Sequence, residues 1–213
     1  MYHLSLHMLP KEVYSEAVWK QYAQKMRPLR LKSLQSDPAS FISKYASEVE
    51  EPITFWIGRL KEPSAWTIIM VRTQNMLSDT ATADGSLLRE DVEWVAYCVI
   101  IDVRHIPESM AQREGGTLSQ HEEPWFMAAI WLDPTLRGQG AGQKLVQFAI
   151  DSISVENART SPAGGKCMTN VSHGNDRALG LYKKIGFRVT DAHKTTDKNG
   201  EIQHMTELKL RLQ

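Results

Sequence analysis

The stretch "WLDPTLRGQGAGQKL", residues 131–145, joins an apolar run to a helix-forming one through an arginine and three alternate glycines. The run before it, Trp125–Leu132, is the most apolar strand candidate in the chain. The run after it, Gly138–Ser154, sets Leu145, Val146, Ala149, Ile150 and Ile153 on one helical face. A strand that feeds a glycine-rich turn into a helix gathers unpaired backbone N–H groups at one point, with the positive end of the helix dipole behind them. Such a point attracts phosphate. Gly138, Gly140 and Gly142 let a ligand approach the main chain, and Arg137 adds a planar, permanently charged fork. The plainer alternative is a turn in which glycine only relieves crowding. Two familiar phosphate patterns fail: G-x-G-x-x-G needs glycine where Gln143 stands, and the P-loop needs lysine after Gly142.

Working outward, Lys166–Val171 reads as the next strand, Asn175–Ile185 as a helix, Phe187–Thr190 as a short strand and Met205–Leu212 as a closing one. The last follows a turn at Asp197-Lys198-Asn199-Gly200. Towards the amino terminus, Glu93–Val103, Ala65–Arg72 and Tyr2–Leu9 read as strands, and Ile53–Leu60 as a short helix. Val13–Gln35 is helical with an interruption expected at Pro28. A further amphipathic helix is expected from Asp37-Pro38 to Val49, since Phe41, Ile42, Tyr45 and Val49 recur at helical spacing. Residues 78–90 and 104–124 read as long exposed loops. The sum is a mixed α/β fold with a partly parallel sheet covered on both faces.

The totals exclude several classes. With 213 residues, folding buries roughly 70% of the unfolded surface, enough for one large domain or a compact pair. Lys plus Arg and Asp plus Glu both number 25, so no overall field favours nucleic acid or an anionic membrane. The longest apolar runs are too short to span a bilayer and no secretory leader is legible, so a cytoplasmic or nuclear setting is expected. Cys98 and Cys167 lie far apart in apolar runs, which argues against a CxxC metal site and gives little support to a disulfide. His3 and His7 lack a third ligand, His105 and His204 are isolated, and no Gly-x-Ser-x-Gly elbow is present, so no metal site and no serine hydrolase is expected. The six tryptophans sit in apolar periodic settings and are expected in the core, with Trp56 and Trp125 as candidates for lining a substrate cleft.

What remains is Arg-x-x-Gly-x-Gly, formed by Arg137, Gly140 and Gly142, which resembles the acyl-CoA-binding motif of the GCN5-related N-acetyltransferases. A second block is similar to the same superfamily. In "VSHGNDRALGLYKKIGF", residues 171–187, Val171, Asn175, Ala178, Tyr182, Gly186 and Phe187 stand at the superfamily's spacing. The resemblance covers about residues 126–189. It implies a single domain over 1–213 with a mixed, mostly antiparallel sheet of six to seven strands, a splayed central parallel pair, and helices on both faces. It also implies acetyl-CoA as co-substrate, with no metal. The main chain of Ile130, Trp131 and Leu132 would meet the pantetheine arm. Arg137, Gly138, Gln139, Gly140, Ala141, Gly142 and Gln143 would hold the pyrophosphate. Asn175, which is also a good helix cap, would lie near the arm.

Acetyl transfer needs a neutral amine and a protonated leaving thiol. The resemblance gives Tyr182 the role of general acid, against the alternative of a core aromatic. The superfamily's usual base positions carry Phe126 and Asn170, neither of which takes a proton. His173, Glu122 and Glu123 are the remaining base candidates, with Asn170 as a group that orients water. The resulting expectation is an acetyl-CoA-dependent N-acetyltransferase acting on a small-molecule primary amine. The rivals are an acyl-CoA-binding domain without transfer activity and an acetyltransferase for protein amino termini or lysines. The closing strand is expected to expose a sheet edge on which two copies could pair as a homodimer.

Overall fold

The three most apolar runs lie side by side in one sheet, as β2 (Ala65–Thr73), β3 (Glu93–Asp102) and β4 (Trp125–Leu132). Covered on both faces, they read as nearly continuous apolar strings rather than alternating ones: Ile68, Ile69, Met70 and Val71 are all at most 1% exposed. In this computed structural model, which describes residues 2–12, 15–74, 77, 85–106, 125–160, 165–198 and 201–212, β1 (His3–Met8) flanks β2. Beyond β4 lie β5 (Lys166–Ser172), β7 (Glu201–Arg211) and β6 (Arg188–Lys198), giving the order β1-β2-β3-β4-β5-β7-β6. Among the described strands only the β4–β5 pair is parallel; the other pairings are antiparallel.

Alternation along the strands divides the core in two. On one face Ile68, Met70, Ala96, Cys98, Ile100, Trp125 and Met127 meet α4 (Ala141–Thr160) through Leu145, Val146, Ala149, Ile150 and Ile153, and α5 (Asp176–Ile185) through Tyr182. On the other, Ile69, Val71, Tyr97 and Trp131 meet α1 (Glu16–Ser36) through Trp19, Tyr22, Ala23, Met26 and Leu29, and α3 (Ile53–Lys61) through Trp56 and Leu60. The expected helical face of 145–153 is thus the buried one, although the helix starts at Ala141, after the glycine turn, and runs to Thr160.

Several expected boundaries are corrected. Pro28 does not interrupt α1. The buried stripe continues in phase from Met26 to Leu29 and Leu34, and that packing offsets the roughly 3 kcal/mol a mid-helix proline costs. The single helix expected over 37–49 is instead a 3₁₀ turn at Pro38–Ser40 and one turn, α2 (Tyr45–Glu48), because Phe41 and Lys44 between them are extended. Residues 86–88, expected as exposed loop, form a 3₁₀ turn that buries Leu87, whose carbonyl accepts from Trp94 Nε1 at 3.1 Å. The strand expected at 187–190 is an 11-residue edge strand, and β7 begins at Glu201 rather than Met205. The closing strand is therefore interior, between β5 and β6, and the sheet edges are β1 and β6. Cys98 and Cys167 are free and buried, and burial pushes Cys167 up to about 12, so both serve as packing groups. Among the described residues no helix is long and apolar enough to cross a membrane. The 107–124 part of the second expected loop lies outside the described residues.

Leu145 is fully buried at the centre of the α4 face. Leu145→Ala is expected to lower stability by about 2–5 kcal/mol in urea unfolding; a loss below about 1 kcal/mol would show that α4 is not held by this face.

Candidate active site

β4 and β5 pair at Trp125↔Cys167 and Phe126↔Met168 and then part. Each keeps its other neighbour: β4 continues along β3 to Ala96↔Leu132, and β5 along β7 to Ser172↔Met205. The cause is local. Opposite Cys98, β4 carries two residues between the Val99↔Ala128 and Tyr97↔Trp131 pairs, and Ala129 there adopts φ +50°, a left-handed conformation in a non-glycine residue. Such a bulge bends the strand and turns its edge away from β5. At the fork Thr169 Oγ1 donates to Met127 O at 2.9 Å, closing the last step before the gap.

The gap is a groove of about 160 Å³ walled by β4 residues Ala128–Ile130, β5 residues Thr169–Ser172 and one side of α5, including Tyr182. Asn170 Oδ1 is buried in this region with no hydrogen-bond partner among the described residues. A buried acceptor left unpaired costs about 1–3 kcal/mol, so this oxygen marks a place where a donor would be welcome.

At the groove's end lies the glycine turn. Gly138 (φ +76°) and Gly140 (φ +81°) are left-handed, and a Cβ at either would meet nothing within 4 Å. Glycine is required there by conformation, not by crowding. The chain enters α4 immediately afterwards, with Lys144 N–H donating to Gly140 O at 3.1 Å, so the preceding amides have no partner within the helix. Gly142 lies inside the first turn, where a Cβ would touch Leu181 and Leu132. Gln139 holds the turn by donating to Thr135 O at 2.8 Å, while Gln143 is exposed and Ala141 buried.

Arg137 does not present the open fork expected of it. Its Nη1 and Nη2 donate to the two Asp37 carboxylate oxygens at 2.8 and 2.6 Å, and its Nε donates to Leu132 O at 3.0 Å. Asp37 also accepts from Trp131 Nε1 at 2.8 Å. One carboxylate at the end of α1 thus fixes both the end of β4 and the start of the glycine turn. The hydrogen bonds from Arg137 hold the Asp37 carboxyl at about 2, against a smaller upward push from burial. Beside it, burial pushes Asp133 up, but hydrogen bonds from Lys32 and Thr135 hold it at about 2 as well.

Tyr182 is buried on α5, and the second motif explains its placement. Asn175 caps the helix, its Oδ1 accepting from Ala178 N–H at 3.1 Å while its Nδ2 donates to Ser40 Oγ at 3.1 Å. Gly186, at φ +113°, ends the helix, its N–H reaching Tyr182 O, and Phe187 packs edge-on against the phenol with ring centres 5.2 Å apart. Burial pushes the phenol well above its ordinary range, against a smaller opposite effect from the Thr169 hydroxyl. It is therefore protonated throughout the neutral and mildly alkaline range.

The expected base candidates fare differently. His173 lines neither cavity. Its Nε2 donates to Ala192 O at 2.9 Å and its ring stacks on His204, facing the β6–β7 hairpin because the turn after β5 directs it there. Glu122 and Glu123 lie outside the described residues. Trp125, fully buried, is core rather than cleft.

A second cavity, of about 530 Å³, opens between α1, α2, α3 and the β2–β4 face. Trp56 lines it, and it meets the groove at Arg30, Ser43, Arg59, Ala128 and Ala129, which line both. Inside it the buried Glu48 carboxylate receives Arg30 Nε and Nη2 at 3.0 and 2.9 Å and faces Arg59 at 3.2 Å. Burial pushes Glu48 up, yet these guanidinium groups hold it below the usual carboxylate range. Sequence reading missed Arg30, Glu48 and Asp37. Arg30 stood inside the apolar stripe of α1, where a charge demands a partner, and Asp37-Pro38, read as the start of a further helix, gave no hint of a distant arginine.

A family model described as Acetyltransferase (GNAT) family matches residues 46–187, and the chain belongs to that family. It is similar to the peptidyl-lysine N-acetyltransferase YjaB of Escherichia coli (strain K12), 38% identical over 150 residues, which cover 70% of this chain and 82% of that protein. Among solved structures, a putative acetyltransferase from Acinetobacter baylyi ADP1 superposes with a TM-score of 0.59 at 12% identity, covering 100% of this chain and 94% of that one. The yncA putative acetyltransferase of Salmonella typhimurium, solved with its cofactor acetyl-CoA, gives 0.52 at 14% identity, covering 99% and 95%. Likeness at these identities establishes the fold.

Because Asp37 is held at about 2, its pairing with Arg137 stabilises the folded chain above the ordinary carboxylate range and is lost as pH falls from about 4 towards 2. Asp37→Asn is expected to show a shallower loss of stability over that window than the parent, in urea titrations at each pH. Parallel curves would mean the pair carries no net stability.

Proposed function

We propose that the protein moves the acetyl group of acetyl-CoA to the primary amine of a small molecule by direct attack. The observation that carries this reading is the junction of the larger cavity with the β4–β5 groove at Ala128 and Ala129, in a groove also lined by the protonated phenol of Tyr182. The residues present fit the co-substrate. The parted strand edges offer main-chain groups at Ile130, Trp131 and Leu132 to a pantetheine arm, as an added strand would meet them. Asn170 Oδ1 can accept an amide N–H from the same arm. The turn from Gly138 to Gly140 and the amides of Ala141, Gly142 and Gln143 can take a pyrophosphate at a helix start, with Arg137 shaping the turn through Asp37. Asn175 forms the groove wall, both ends of its amide being used on Ala178 and Ser40.

Bound there, acetyl-CoA supplies an activated acyl carbon and a thiol leaving group. As the amine nitrogen bonds to that carbon and the C–S bond breaks, Tyr182 gives its hydroxyl proton to the departing sulfur and regains one from solvent. The residues common to both cavities include no carboxylate, and Glu48 is held by two guanidinium groups. On this reading the amine's proton goes to water, with Asn170 as the group that orients it, while Glu122 and Glu123 lie outside the described residues. Transfer to a peptidyl lysine is a second reading, favoured by the name of the Escherichia coli relative.

Tyr182→Phe is expected to lower kcat by about 10²–10⁴-fold in a thiol-release assay, with the KM for acetyl-CoA nearly unchanged. An unchanged kcat removes Tyr182 as donor, and acetyl-CoA binding without thiol release over a broad panel of amines identifies a binder instead. A second expectation concerns pH. With no carboxylate or histidine among the described residues at the junction and water as the acceptor, kcat/KM for an alkylamine should climb about tenfold per pH unit towards the amine's own pKa near 10. Because Tyr182 is shifted upward, no fall from its ionisation should intervene. A plateau near pH 7 would reveal a protein base.

A further inference from the structure

The walls of the larger cavity carry more information than the presence of an amine site. Among the described residues its charged lining consists of two guanidinium groups, Arg30 and Arg59, and three carboxylates, Glu48, Glu51 and Glu62, which leaves one negative charge in excess. The cations are committed. Arg30 is bound bidentate to Glu48 and also donates to Tyr97 Oη at 3.0 Å, and Arg59 faces Glu48 while lying over the Phe55 and Trp56 rings at 5.6 and 6.0 Å. Glu62 Oε1 is occupied by Ser64 N–H at 3.2 Å and Ser64 Oγ–H at 2.7 Å. The half-buried Glu51 carboxylate has no hydrogen bond or ion pair among the described residues. The rest of the wall is dominated by Met26, Phe55, Trp56, Leu60, Tyr97 and Ile101.

We infer that this cavity takes a primary amine bearing a single positive charge on an apolar, ring-sized body, with the Glu51 carboxylate drawing the ammonium in and the aromatic wall receiving the body. The inference rests on the acetyl-transfer reading and narrows its acceptor. A zwitterionic amino acid would need a cation for its carboxylate, and both guanidinium groups are spent on Glu48. A polyamine would bring further ammonium groups against a largely apolar wall on which, among the described residues, Glu62 remains to meet them, its Oε1 already taken by Ser64, at a desolvation cost. A lysyl side chain would bring four methylenes but no ring to meet the aromatic wall.

The test is thiol release by the purified protein with acetyl-CoA and, in parallel, 2-phenylethylamine, spermidine, free lysine and a short lysine-containing peptide. The expected result is a kcat/KM for 2-phenylethylamine at least tenfold above each of the others. A preference for spermidine, free lysine or the peptide overturns the inference while leaving acetyl transfer standing, whereas no release with any amine, despite saturable acetyl-CoA binding, overturns both. Glu51→Gln is expected to raise the KM for 2-phenylethylamine on the order of 10- to 100-fold, with acetyl-CoA KM unchanged and partial recovery in Glu51→Asp. An unchanged amine KM removes Glu51 from recognition.

Discussion

Everything at the centre of this molecule depends on two parallel strands that stay paired for only two residues. Backbone N–H and C=O groups inside a protein must be satisfied, so a sheet that opens at its middle is costly unless something else meets the exposed edges. Here the opening is built in by one left-handed alanine in β4, and each strand is held by its outer neighbour, so neither can swing back to close the gap. The same bulge places Ala128 and Ala129, with their minimal side chains, where the two cavities meet. A larger residue at either position would stand in the passage between them.

Around this gap the chain uses charges as fixtures. The pairs Arg137–Asp37 and Arg30–Glu48 both tie α1 or its end to a part of the fold far away in sequence. Desolvation offsets part of the attraction in such half-buried and buried pairs, so stability is not all that they supply. What they give is position: removing one partner leaves a stranded charge, so each pair admits one arrangement of the elements it joins. The helices that carry the larger cavity are registered in this way against the strand that carries the groove.

Much of this was legible in the chain, and the reasons for the failures are physical. Strands β2, β3 and β4 announced themselves because burial on both faces leaves few polar residues to interrupt them, and α5 because Asn175 and Gly186 are true cap residues. The expected orphan turn at Gly138–Gly140 is present, since left-handed backbone is what glycine is for. The edge strand β6 was read as four residues because, beyond Val189, its exposed residues show no alternation to detect. Asp37 was read only as the start of a further helix, because its partner lies 100 positions away and a single chain carries no signal for a contact of that range. The larger cavity was unreadable for the same reason: its walls come from six separate elements.

The way α5 ends has a bearing on durability. Gly186 closes the last turn by bonding back to the carbonyl of Tyr182 itself, and Phe187 then wedges against the phenol. Helix ends are where folded chains fray most readily, long before the whole molecule opens. In this protein that fraying and the loss of the proposed proton donor would be one event, so the resilience of the reaction is tied to a single glycine-capped terminus.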